Sequence, residues 1–215
     1  MSFTLNAIFS LSVGLSVVIG WIRFGKTDPA FFPFLLLVTV SLLNEIISLV
    51  LALKRYPNII NFNIFQLVES LLLMWQFFKW DMFGKRKKLY YAFQCFFVGS
   101  WLVESIAWNK EFNSYFVIVH AFIIVIMSIH TLNGVAMRES TSLFKHSVAL
   151  LCMGLLAYFT YAVLVEAFWI VGFNHQQVFR LKIFEILSYI NLMTNIIFAY
   201  AFLWIPMKPQ YIMRS

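Results

Sequence analysis

Seven apolar stretches of about 20 residues or more run through this chain with only short polar breaks between them, more than any water-soluble core can hide. A helix rises 1.5 Å per residue, so about 20 residues cross a bilayer core of about 30 Å. In hydrocarbon every backbone N–H and C=O must be paired within the segment, which leaves the helix as the form each stretch takes. The stretches run from Phe3 to Phe24, Phe31 to Leu53, Ile59 to Trp80, Leu89 to Trp108, Phe112 to Met137, Ser147 to Phe173 and Leu181 to Pro206. Composition points the same way: of 215 residues, 62% are hydrophobic and 12% charged, too few charges to coat a soluble globule of this size. The expected fold is all-α, a polytopic membrane protein of seven transmembrane helices in a single domain over residues 1–215, with no soluble domain. Disorder, a disulfide-stapled module and a nucleic-acid-binding domain are excluded despite the net charge of +7.

The breaks are chemically marked. Arg23, Lys26, Asp28 and Pro29 close the first stretch; Lys54, Arg55 and Pro57 the second; Asp81 and the run Gly84-Lys85-Arg86-Lys87-Lys88 the third. Pro206 and Pro209 end the last, since proline lacks the N–H a helix needs. Lysine and arginine of short loops collect on the cytoplasmic side. With the N-terminus outside, the inner segments hold Arg23, Lys26, Lys79, Lys85, Arg86, Lys87, Lys88, Arg138, Lys145, Lys208 and Arg214, 11 of the 16 basic residues. The outer segments hold Lys54, Arg55, Lys110, Arg180 and Lys182. The expectation is an outside N-terminus, a cytoplasmic C-terminus and residence in a plasma or inner membrane. The first stretch has no basic flank before it and no small-residue cleavage site after it, so it is expected to be retained.

The residues that a bilayer should exclude carry the functional information. Glu45, Glu69, Glu104, Glu166 and Glu185 lie inside the second, third, fourth, sixth and seventh stretches, and His120 and His130 inside the fifth. A charged side chain at the bilayer centre costs about 2.5 to 3.5 kcal/mol on insertion scales, so these should face one another rather than lipid. Counting 1.5 Å per residue from the outer edge puts Glu45 and His120 about 12 Å deep, Glu69 about 15 Å and Glu166 about 9 Å, with Glu104 and Glu185 about 6 Å. Polar neighbours at helical spacing form stripes: Ser41, Asn44, Glu45 and Ser48; Asn63, Gln66, Glu69 and Ser70; and Glu185, Ser188, Asn191 and Asn195. Such stripes line a cavity or hold helices together by hydrogen bonds.

Lys110, Arg180 and Lys182 lie near the interface and are expected partners for Glu104 and Glu185. No lysine or arginine lies at the depth of Glu45, Glu69 or Glu166, which makes these, with His120, the primary candidate site. Asn44, Gln66 and Asn191 are expected beside them, with Glu104 and Glu185 as secondary members.

Seven spans with an outside N-terminus resemble, in count and direction, the rhodopsins, the receptors coupled to G proteins and the small sugar carriers of the SWEET type. No local motif of those families is matched residue by residue. No retinal is expected, because the last stretch has only Lys182, at its edge, for a Schiff base. Phosphate loops, nucleophile elbows and His-Glu-x-x-His are absent. Three readings of function follow. The chain binds or translocates a cation, a proton or a small solute through an outward-facing carboxylate pocket; or it is a receptor or accessory subunit with a membrane-protein partner; or it is an intramembrane metal-dependent hydrolase. The last has one histidine at the right depth and no Glu-x-x-His pair. Apart from the lipid bilayer and such partners, no nucleic acid is expected.

Overall fold

Ser12 divides the first apolar stretch into α1 (Phe3–Leu11) and α2 (Val13–Phe24), a single rod broken at one residue whose hydroxyl bonds back to the Phe9 carbonyl at 2.6 Å. After a 3-10 turn at Pro29–Phe31 come α3 (Phe32–Leu53), α4 (Ile59–Lys79), α5 (Lys87–Ala107) and α6 (Ser114–Arg138). A second such turn at Leu143–Lys145 leads into α7 (Ser147–Val171) and then α8 (Gln177–Leu203). This computed structural model describes residues 3–107, 112–138, 142–171 and 177–207. The expected span ends at Trp108 and Phe173, and Lys110, Lys208, Pro209 and Arg214 of the charge argument, lie outside the described residues. No strand forms among them; one isolated antiparallel bridge joins Thr27 to Met207.

Five of the seven rods are long and apolar enough to cross a membrane: Thr4–Phe24, Pro29–Leu53, Ser114–Met137, Ser147–Val171 and Lys182–Leu203. The other two, α4 and α5, have 21 residues each and are more polar. In α4 the polarity is turned inward: Gln66, Glu69, Ser70 and Gln76 are all buried. Exposed Leu, Ile, Val, Phe and Tyr side chains cover the outside of the rods instead, Leu102, Val103 and Ile106 of α5 among them.

Each rod packs on its neighbours in sequence, and α8 closes the ring against α1 and α2. Polar side chains stitch the seams. Gln76 accepts from the Phe34 N–H at 2.8 Å and donates to the Ala30 carbonyl at 2.9 Å, using one buried amide to satisfy the first turn of α3. Ser16 donates to the Asn195 carbonyl, and the Asn195 amide donates to Ser12 at 2.9 Å. At the far end of α3 and α4, Asn61 donates to Asn44 at 2.8 Å and Asn58 to Ser48 at 2.9 Å. Both helices end with a residue of positive φ that is not glycine, Arg55 and Asp81. The N–H groups of Tyr56 and Met82 reach back five residues to Leu51 and Phe77, the Schellman pattern that satisfies a helix's last carbonyls.

A layer of apolar side chains fills the inside of the ring toward the end where α3 and α7 begin and α4 ends. Leu73, Met74 and Phe77 of α4, Ile124 of α6, Leu151 of α7 and Phe34 of α3 have no measurable exposure. Close packing here leaves no room at Gly154, where an added Cβ would stand 2.5 Å from the Phe198 ring, itself held edge-on by Phe34 at 4.9 Å. Gly154→Ala is expected to cost about 1 to 3 kcal/mol through overpacking. Gly99→Ala, on α5 with open space around it, should be neutral or stabilising. Thermal unfolding followed by intrinsic fluorescence distinguishes the two; equal melting would mean that the Phe198 ring yields freely.

Candidate functional site

The buried face of α6 positions His120 by its 3.6-residue repeat: Phe116, His120, Ile124 and Met127 are all buried along one side of the helix. Three phenyl rings box the imidazole. Phe116 lies nearly parallel at 5.3 Å and 18°, Phe159 edge-on at 5.4 Å, and Phe97 edge-on at 6.4 Å. The open side meets Glu69 of α4, whose Oε2 is 3.7 Å from His120 Nε2. That is ion-pair distance but too long for a hydrogen bond. Accordingly Glu69 Oε2 and both ring nitrogens of His120 are buried without a hydrogen-bond partner, as is Gln66 Oε1 one turn away on α4. Buried polar atoms are satisfied in the great majority of cases, so four orphans at one place demand an explanation.

Glu69 also forms part of the wall of a cavity of about 60 Å³ enclosed by five rods. Besides Glu69, its polar wall is made by Ser10 of α1, Ser41 and Glu45 of α3, Tyr158 of α7, and Asn191, Thr194 and Asn195 of α8; apolar residues such as Leu37, Phe65 and Leu155 make the rest. Glu45 is hydrogen-bonded to Ser10, and the Thr194 hydroxyl is buried with no partner. The volume accommodates a few water molecules or one small ion, and no sugar or amino acid.

The candidates are thus brought together in part. Glu45, Glu69 and Asn191 share the cavity, and His120 and Gln66 sit behind Glu69. Asn44 is half-buried and turned into the Asn61 bond, on the seam rather than in the cavity. Glu166 is hydrogen-bonded to Ser114 at the start of α6, within electrostatic reach of Glu104. Glu185 is half-buried on α8 outside the cavity wall.

Lys110, one of the expected partners of Glu104, lies outside the described residues, and Glu104 caps a helix. Its two oxygens accept from the backbone N–H groups of Tyr115 at 3.1 Å and Phe116 at 2.6 Å, so the anion sits on the positive end of α6. Tyr158, Ser10 and Thr194 were not among the expected members. Tyrosine is read in such a chain as an interfacial anchor, yet Tyr158 lines the cavity together with Glu45 and Glu69. The one sequence signal for it is its place a helical turn from Leu155 on the cavity side. The other half-buried or buried sites carry no metal-ligand grouping: among the described residues no three His, Cys, Asp or Glu side chains gather to hold an ion. Comparisons of the chain with family models, with curated proteins and with solved structures gave no significant match.

Proposed function

We propose that the chain is a seven-span membrane protein of a plasma or inner membrane, N-terminus outside, that binds or translocates a proton or small cation at Glu69, His120 and Glu45. The observation that carries this is the buried Glu69–His120 pair, unbonded at 3.7 Å and opening onto a cavity that holds water or one ion. A carboxylate and an imidazole that satisfy nothing structural can exchange a proton with each other and with what enters the cavity. The cavity volume favours an ion over a sugar-sized solute and over a receptor ligand. Asn191 and Ser41 supply neutral oxygens for such an ion.

The inward polar face of α4 supports counting α4 and α5 as spans beside the five more apolar rods. The basic residues support the direction. A fluorescent reporter that matures only in the cytoplasm, fused after Ser215, is expected to be bright, and a periplasmic phosphatase at the same place inactive. The reverse pattern overturns the orientation. For the function, uptake of protons or of sodium, potassium or ammonium into proteoliposomes under an imposed gradient is the direct test. Permeability equal to that of empty liposomes for all four would reject transport.

A further inference from the structure

Glu69 faces two places where a positive charge can sit. On one side His120 Nε2 lies 3.7 Å from its Oε2, and on the other the carboxylate forms part of the cavity wall. His120 is wholly buried, boxed by Phe97, Phe116 and Phe159, and neither ring nitrogen has a hydrogen-bond partner. An imidazolium there is balanced by the Glu69 carboxylate. The cavity itself offers oxygen: no His, Cys or Met side chain lines it. Two donors of its wall are spent elsewhere, since the Asn195 amide donates to Ser12 at 2.9 Å and the Ser10 hydroxyl is bonded to Glu45. The Thr194 hydroxyl, on a residue 2% exposed, lines the cavity with no partner. A wall of carboxylate, hydroxyl and amide oxygens suits a hard cation.

Building on the reading of Glu69, His120 and Glu45 as an ion site, we propose that a monovalent hard cation, sodium or potassium, enters this cavity in exchange for one proton from His120. Before binding, ionised Glu69 balances protonated His120. As the cation reaches Glu69, the proton on Nε2 passes by way of the carboxylate to water in the cavity and leaves, and the imidazole is left neutral. One positive charge arrives and one departs, so the buried charge is unchanged. A divalent ion would leave a surplus charge in the interior, which selects against it. Glu45 adds a second carboxylate to the cation's seat. Of the other titratable groups nearby, Tyr158 faces the cavity from α7. Glu104 and Glu166 are engaged at the start of α6, by the Tyr115 and Phe116 N–H groups and by Ser114. The wall residues of α1 and α8, Ser10, Asn191, Thr194 and Asn195 among them, carry no charge.

The test uses the full chain in detergent, with sodium, potassium and calcium chlorides as probes. Calorimetry should show sodium or potassium binding with an affinity that rises about tenfold per pH unit over the range in which His120 titrates, because one proton leaves per cation. In weak buffer a pH indicator should report about one proton released per cation bound. Nitrogen-labelled histidine should show one imidazole passing from its charged to its neutral form, a signal absent from His120→Asn. His120→Asn and His120→Gln should still bind the cation, with no proton released and an affinity independent of pH. Proton release and the imidazole signal are read on the wild type, so they decide the matter where neither variant folds. Cation bound without proton release, release that persists in both variants, or calcium bound more tightly than sodium and potassium overturns the exchange and leaves an ion site standing. No binding of any of the three also overturns it and leaves only protons for the site, which proton flux in proteoliposomes tests separately.

Discussion

In proteoliposomes under an imposed proton or cation gradient, the Glu69→Gln protein is expected to fold, insert and show no transport above empty vesicles. Glutamine keeps the length and the hydrogen-bonding capacity of Glu69 while removing its charge and its titration. Its stability should stay within about 1 kcal/mol of wild type, because Glu69 Oε2 makes no hydrogen bond and a neutral amide is cheaper to bury than a carboxylate. His120→Asn should behave alike. Glu45→Gln, at the cavity wall and bonded to Ser10, should weaken ion affinity while leaving some transport. Wild-type flux from a well-folded Glu69→Gln protein would reduce the Glu69–His120 pair to interhelical packing and end the proposed role.

The largest loss of stability is expected from Glu104→Ala. It strips α6 of two charge-assisted bonds to the N–H groups of Tyr115 and Phe116, the latter buried with its residue. At about 1.5 to 3 kcal/mol for a hydrogen bond to a charged group, partly offset by water at the interface, the cost is about 2 to 4 kcal/mol. That corresponds to a fall of roughly 5 to 15 °C in melting temperature for a domain of this size. Glu104→Gln retains one acceptor oxygen and should recover about half. Transport per folded molecule should be unchanged in both, which separates this carboxylate from Glu69. A Glu104→Ala protein melting like wild type would mean that α6 is held by packing alone.

How much could be read from the chain depends on whether a residue's role is set along its own helix or between helices. Depth is a property of one helix, and it put Glu45, Glu69 and His120 at a common level, where Glu45 and Glu69 share a cavity and His120 faces Glu69. Stripe spacing likewise marked Asn191 and Asn195. Which partner each side chain meets is set by helix rotation and neighbour choice, and spacing carries neither. Asn44 has the same spacing as Glu45 but turns toward Asn61. Glu104 lies ten residues before Ser114; the break after Trp108 announces that the chain turns back, but nothing there announces that the carboxylate lands on a helix end. Pro57 and Gly84 marked that the second and third stretches end, but the left-handed residues themselves, Arg55 and Asp81, are not glycine, and nothing at Ser12 marked the break there. Tyr158 was hidden by the abundance of aromatic residues with lipid-facing duties. The apolar character of α4 was understated by hydropathy because its polar residues face inward.

If the seven rods cross a bilayer as proposed, the apolar layer of Phe34, Leu73, Met74, Phe77, Ile124 and Leu151 has an electrical meaning. Water reaching the Glu69 cavity would bring bulk potential up to one face of this layer, so that the membrane voltage would fall across the remaining thickness instead of the whole hydrocarbon. The local field would be steeper in proportion. A unit charge carried from the Glu69 cavity through the layer would then cross most of the voltage drop, worth about 2.3 kcal/mol per 100 mV. Such passage would be electrogenic, while occupancy of the Glu69 cavity alone would draw little current.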